Sequence, residues 1–121
     1  MKHILVVEDD LLIQKVYEEK LPKDICQIHR AATYEVAMKI LSEQPIDLIL
    51  LDIILPGGKN GFDILEEIKR NPSYNTIPVI ILTNLDTEEK TAKKMGAENF
   101  FIKGNTPIQV IIDTVKKTLG V

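Results

Sequence analysis

The sequence predicts an α/β fold, a doubly wound five-stranded parallel sheet with helices on both faces. Three observations carry that prediction. Five short apolar runs, near 3–7 (HILVV), 26–31 (CQIHRA), 47–51 (DLILL), 77–82 (IPVIIL) and 99–102 (NFFI), alternate with stretches of helical period. The first, third and fourth runs are aliphatic almost throughout, as strands covered on both faces must be, while the second is half polar and belongs at a sheet edge. The connections are short, with no linker, repeat or low-complexity segment.

Composition agrees and excludes several function classes. At 121 residues, 45% hydrophobic and 27% charged, the chain buries one core and has no room for two, so 1–121 is expected to be a single domain. The net charge is −3, and basic residues fall singly or in pairs such as Lys93-Lys94 and Lys116-Lys117, which argues against direct nucleic-acid binding. The single Cys26 allows no internal disulfide and reads as a buried structural thiol in a reducing, cytoplasmic setting. MKHILVVEDD has too few apolar residues before its acids for a signal peptide, and no run approaches membrane-spanning length. A soluble protein away from membranes is expected.

Each helix carries its own punctuation. Thr33 is placed to N-cap a helix reaching about Ser42. Asp86 with Glu89 three residues later predicts a capping box, and Gly96 ends that helix. Thr106-Pro107 predicts an N-cap followed by proline at the first helical position, in a helix ending at Leu119. On this last helix Ile108, Ile111, Ile112, Val115 and Leu119 form one stripe for the core, and Val110 points roughly the other way. The helix from Asp86 to Met95 offers only Ala92 and Met95 for burial, apart from Leu85 just before it, so it is expected to move at small cost.

One stretch conflicts with a purely structural reading. In DLILLDIILPGG, Asp47 to Gly58, a carboxylate at Asp52 interrupts seven aliphatic residues. A lone ionised carboxylate in dry protein costs several kcal/mol, so Asp52 needs either water or a cation beside it. Right-handed crossovers leave a crevice at the carboxyl ends of such strands. The first strand delivers Glu8-Asp9-Asp10 there, the third Asp52, the fourth Thr83 and the fifth Lys103. Carboxylates from neighbouring strands repel by about 1 to 4 kcal/mol per pair at ~4 Å, and a divalent cation removes that cost. Oxygen ligands without His or Cys suit Mg2+ or another hard divalent cation. His3 and His29 lie elsewhere and read as structural or solvated, so zinc is not supported. With Lys103 as a point charge and Thr83 as a hydroxyl donor, Asp52 becomes a carboxylate able to attack phosphorus.

The pattern resembles the response-regulator receiver domain, the phosphoacceptor module of two-component signalling. The motifs are ILVVEDD, LILLDIILPG, PVIILT and GAENFFIK, in that order along essentially the whole chain. The fold this implies has the flavodoxin-like strand order 2-1-3-4-5. By the same resemblance Asp52 is the phosphoacceptor. Asp9 is a direct Mg2+ ligand, Glu8 acts largely through water, and Ile54 supplies a backbone carbonyl to the metal. Thr83 and Lys103 hold phosphoryl oxygens, and Thr83 with Phe100 forms the switch. Asp10 falls outside the site and caps the first helix. Three departures stand out. The loop PGGKNG is one residue longer than usual, with Asn60 where an aspartate is common. Gly104 follows Lys103 where a proline is frequent. Phe100 replaces the usual tyrosine, losing a hydroxyl.

The expected function is phosphoryl transfer from a histidine kinase or phosphotransfer protein to Asp52. The changed surface, formed by the fourth helix, fifth strand and fifth helix, would then meet a downstream protein target. The protein itself would not be an enzyme beyond self-catalysed aspartyl phosphorylation and dephosphorylation. Two rivals are a phosphorylation-independent protein-binding module of the same fold and a metal-dependent phosphohydrolase. The latter normally needs an acid-base carboxylate where Ile54 stands. The lifetime of the phosphoryl group is assigned to Ile54 and Leu85, which flank the water's approach in the resembling family; neither can hydrogen-bond a water.

Overall fold

The structure, a computed structural model, describes residues 1–121. The elements follow in the order β1 Lys2–Val7, α1 Leu11–Lys20, β2 Cys26–Ala31, α2 Tyr34–Glu43, β3 Leu48–Leu51, α3 Gly61–Arg70, β4 Val79–Thr83, α4 Glu89–Lys94, β5 Asn99–Ile102 and α5 Ile108–Leu119. All strand pairs are parallel and the order is β2-β1-β3-β4-β5, the flavodoxin-like order that the resemblance to the receiver family implied. The half-polar run is indeed an edge.

Alternation along the central strands divides the interior into two cores. Leu5, Val7, Ile49, Leu51 and Ile81 face α2, α3 and α4, meeting Ala37, Leu41, Ile64, Leu65, Ile68 and Ala92. Ile4, Val6, Leu48, Leu50 and Ile80 face the other way, toward Tyr17 on α1 and Ile111, Ile112, Val115 and Leu119 on α5. Each fully buried Ile or Leu contributes roughly 1.5 to 3 kcal/mol over leaving it exposed, which fixes the register of the sheet. That register brings the carboxyl ends of β1, β3, β4 and β5 to one edge.

Thr33 caps α2 as expected, its hydroxyl accepting the Val36 N–H at 3.2 Å, and Asp10 caps α1 by accepting from Leu12 N at 2.9 Å. Two other capping expectations fail. Asp86 and Glu89 make no capping box: Asp86–Glu88 is a 3-10 turn without a side-chain cap, and the Glu89 carboxylate turns instead to Lys93, 3.3 Å away. An uncapped helix start tightens into such i→i+3 bonds to satisfy its free groups. Gly96 does end α4, at φ +103. At α5 the helix begins one residue late, at Ile108, with Pro107 extended at the cap position and no bond from Thr106. Thr106 instead lines a groove between α1 and α5 with Ile13 and Tyr17. The predicted stripe of α5 is buried, with Ile108 half-buried, and Val110 is exposed. No helix is long and apolar enough to cross a membrane.

Candidate functional site

Four polar side chains are buried in the molecule: Glu8, Gln14, Asp52 and Thr83. Three of them sit at the ends of neighbouring strands. Backbone bonds set their places, because Asp52 N–H donates to Val7 O at 3.0 Å and Lys103 N–H donates to Thr83 O at 2.9 Å. The side chains of the site are thereby held by ladder continuations rather than by mobile loop.

Asp52 has cationic company. The Lys103 ammonium lies 2.7 Å from Asp52 Oδ2 and also bonds Glu8 Oε1, while Asp52 Oδ1 accepts the Ile54 N–H at 3.1 Å. The other Glu8 oxygen accepts from Asp10 N at 3.2 Å. One cation thus serves two buried carboxylates, and removing it would leave both without a counter-charge, a loss of about 3 to 5 kcal/mol for a broken buried pair. Burial pushes the Glu8 carboxyl above its ordinary value, against the opposing pull of Lys103. Burial acts to lower Lys103, but its bonds to Asp52 and Glu8 outweigh that and raise it, so it stays charged. Tyr17, buried nearby, has its phenol raised by burial and by the fields of Glu8 and Asp52.

Asp9 completes the acidic group. Oxygen atoms of Glu8, Asp9 and Asp52 lie within 4.8 Å of one another, Asp9 on the exposed side. Three carboxylates without a nitrogen or sulfur donor suit a hard divalent cation, so the residues present fit Mg2+. The histidines are elsewhere, as expected. His3 Nδ1 and His29 Nε2 meet at 2.9 Å, and burial with the neighbouring ring lowers the His29 pKa.

The remaining expected residues surround this group. Thr83 is fully buried, its hydroxyl oxygen accepting from Leu85 N at 3.4 Å. Ile54 is 53% exposed beside Asp52. Leu85 is half-buried and packs on the core shared by α2, α3 and α4. Phe100 lies inside that same core with Ile81 and Ala92, its ring already turned inward.

Sequence reasoning missed several contributors. Gly61 opens α3 so close to Asp52 that a Cβ there would stand 2.6 Å from Ile53 Cα, and its N–H donates to Ile53 O at 2.8 Å. That demand is tertiary and leaves no local signal. Asn60 before it caps α3 in a box with Asp63, which the Asn-x-x-Asp spacing does signal. Asn84 accepts the Gly104 N–H at 3.2 Å, tying the loop after β4 to the loop after β5. Cys26 is buried, as expected.

Residues 4–116 match the family model of the response regulator receiver domain. The chain belongs to that family. Among curated relatives the receiver domain is 37% identical over 106 residues to the transcriptional regulatory protein MalR of Bacillus subtilis, covering 85% of this chain and 44% of MalR. It is 34% identical over 112 residues to the phosphate regulon transcriptional regulatory protein PhoB of Escherichia coli, covering 91% and 48%. The chain spans about half the length of these relatives. Among solved structures, the non-phosphorylated HemR receiver domain of Leptospira biflexa superposes with a TM-score of 0.87 at 26% identity, covering 100% of this chain and 96% of that one. The Mn2+-bound form of the response regulator Rcp1 gives 0.82 at 26%, covering 97% and 93%. A receiver domain is a two-component signalling domain, typically without an enzyme's turnover.

Proposed function

We propose that this receiver domain accepts a phosphoryl group on Asp52 from a phosphohistidine of a histidine kinase or phosphotransfer protein. The observation that carries the reading is the gathering of Glu8, Asp9 and Asp52 oxygens within 4.8 Å, with the Lys103 ammonium 2.7 Å from Asp52. An Asp52 oxygen attacks phosphorus, the P–N bond breaks with its electron pair passing to nitrogen, and the ring, which carries a proton on its other nitrogen, leaves as neutral imidazole. Lys103, already bonded to Asp52, would hold a phosphoryl oxygen beside it. Asp9, Asp52 and the Ile54 carbonyl, with Glu8 largely through water, would hold a divalent cation, Mg2+ in the cell, which would neutralise the crowded oxygens. The Mn2+-bound form of Rcp1, a structure of the same fold, supports the assignment of a metal.

A protein donor fits better than a small one. Leu11, Leu12 and Ile54, each within three residues of a site carboxylate, are 67%, 75% and 53% exposed, an apolar rim suited to a docking partner. On the output side, the phosphoryl group adds about −1.5 to −2 of charge and three acceptor oxygens, for which the Thr83 hydroxyl is the donor at hand. Turning Thr83 toward it releases the Leu85 N–H and shifts the packing around Phe100, and with it α4. The downstream target then meets the face of α4, β5 and α5, where Val110 is exposed. Against the phosphorylation-independent reading stands the retention of Glu8, Asp9, Asp52, Thr83 and Lys103, since a module that keeps the fold alone has no need of them.

Asp52→Asn should fold and lose the acid-stable, base-labile acyl phosphate formed with a small phosphodonor. Equal labelling of the variant would end the assignment, and undiminished labelling of wild type in chelator would end the role of the metal. Thr83→Ala should still be labelled, with much smaller NMR shifts in α4 and β5.

A further inference from the structure

Of the four buried polar side chains, Gln14 is the one that the chemistry above does not use. It lies in the second turn of α1, 3% exposed, at a place where a helix facing a core ordinarily carries an aliphatic residue. Burying a primary amide is unfavourable unless its donors and acceptor find partners. The Gln14 amide finds one: its Nε2 reaches back over the start of the helix and donates to the backbone carbonyl of Glu8.

That carbonyl belongs to the peptide that joins Glu8 to Asp9. β1 ends at Val7, whose carbonyl still accepts from Asp52, and the Glu8 N–H still donates to Ala31 O at 2.9 Å. The Glu8 carbonyl is the first group past the ladder, and its recorded partner is a side chain. Rotation of this one peptide would turn the Glu8 and Asp9 carboxylates relative to each other. The amide of Gln14 fixes it from one side, and the Asp10 N–H, bonded to Glu8 Oε2 at 3.2 Å, fixes the side chain from the other.

We propose that Gln14 is a positioning residue for the divalent cation, holding the Glu8–Asp9 peptide so that both carboxylates face Asp52. The inference rests on the metal-binding reading above and concerns affinity, before any phosphoryl transfer. Groups that orient metal ligands from outside typically alter affinity 10- to 100-fold when removed. Gln14 acts on two ligands through one hydrogen bond, so the lower end, about tenfold, is expected.

The test is a titration with Mn2+ alone, followed by electron paramagnetic resonance of the free ion, with no phosphodonor present. Gln14→Met keeps the length of the side chain and removes the amide. Its Mn2+ dissociation constant should rise about tenfold. Ile112→Val, in the core between α1 and α5, serves as a control for loss of stability away from the Glu8–Asp9 peptide, and its constant should stay within about twofold of wild type. Equal constants for Gln14→Met and wild type, or equal rises in both variants, would overturn the proposal. Failure of wild type to bind Mn2+ would instead remove the metal-binding reading on which it stands. Should Gln14→Met not fold, wild type decides: the Gln14 side-chain amide protons should exchange slowly and shift on saturation with Mg2+. Exchange at the rate of a free glutamine would overturn the inference.

Discussion

α3 and α4 pack on the same face of the sheet, each following a strand that ends in a site residue, and they are held very differently. α3 runs ten residues, opens with the Asn60–Asp63 capping box, closes with Lys69 and Arg70 in its last turn, and buries Gly61, Ile64, Leu65 and Ile68. α4 runs six residues, has no side-chain cap, and buries Ala92 alone. Helices that short draw their stability from packing rather than propensity, so one buried alanine leaves α4 weakly attached. On the proposed function, the difference separates two duties: α3 would keep the loop after Asp52 still while chemistry occurs, and α4 would answer that chemistry by moving.

The largest test of this contrast is at the glycines that bound the two helices. Gly61→Ala forces a Cβ into the backbone of Asp52 and Ile53, and should cost about 3 kcal/mol in denaturant titrations and abolish labelling of Asp52. Gly96→Ala meets only the flexible stem of Lys69 but must adopt φ +103, and should cost roughly 1 to 2 kcal/mol with labelling intact. Comparable losses from both would erase the distinction.

Native-state hydrogen exchange reads the same contrast without substitution. Amides of Lys93 and Lys94 should open at least about a hundredfold more often than those of Leu65 and Ile68, a gap of ~2.7 kcal/mol. Matched protection factors would mean that α4 is anchored by contacts that its burial does not reveal.

Ile54 and Leu85 sharpen the comparison at the level of the phosphoryl lifetime, for each stands in the loop leading to one of the helices. Introducing Ile54→Asn and Leu85→Glu together should speed phosphate release by about tenfold, if one oriented water is worth ~1.4 kcal/mol of barrier. Because Ile54 is exposed and Leu85 packs on the core, Ile54→Asn should leave stability unchanged and Leu85→Glu should lower it. A double variant that releases phosphate no faster than wild type would refute the account.

The smallest expected effect is a pH dependence confined to the β2 edge of the sheet. The folded His29 pKa lies below its unfolded value, so the unfolded chain binds more protons as pH falls through 6.5 and the stabilising contribution, intact above that value, is lost through the lowered pKa. Urea midpoints at about pH 7.5 and about pH 5.5 should differ less in His29→Gln than in wild type. Exchange in α4 should not follow His29, since the pair joins β1 to β2 at the opposite edge of the sheet.

What the sequence disclosed follows a physical rule. The edge place of β2 and the convergence of Glu8, Asp52, Thr83 and Lys103 were legible because a half-polar strand and a charge inside an aliphatic run are locally improbable and therefore informative, whereas the full strand order followed from the resemblance to the receiver family. The cap of α2 was legible because Thr33 bonds within its own turn, and the Asp10 cap of α1, which followed from the resemblance, bonds in the same local way. The α4 cap misled because Glu89 has a competing partner, Lys93, one turn on. Gly61 and Gln14 were silent for another reason. A glycine opening a helix and a glutamine inside one are ordinary in sequence, and only the approach of a distant backbone, Asp52 in one case and Glu8 in the other, makes them matter.

The doubly bonded lysine carries a consequence for which ion the crevice accepts. Three carboxylates against one ammonium leave a formal charge of −2 among Glu8, Asp9, Asp52 and Lys103. A monovalent ion would leave that cluster anionic and a trivalent one would overshoot, whereas a divalent ion brings it to neutrality. On the proposed metal-binding reading, Lys103 would therefore set the valence the crevice prefers, and the carboxylate oxygens would be left to discriminate by size.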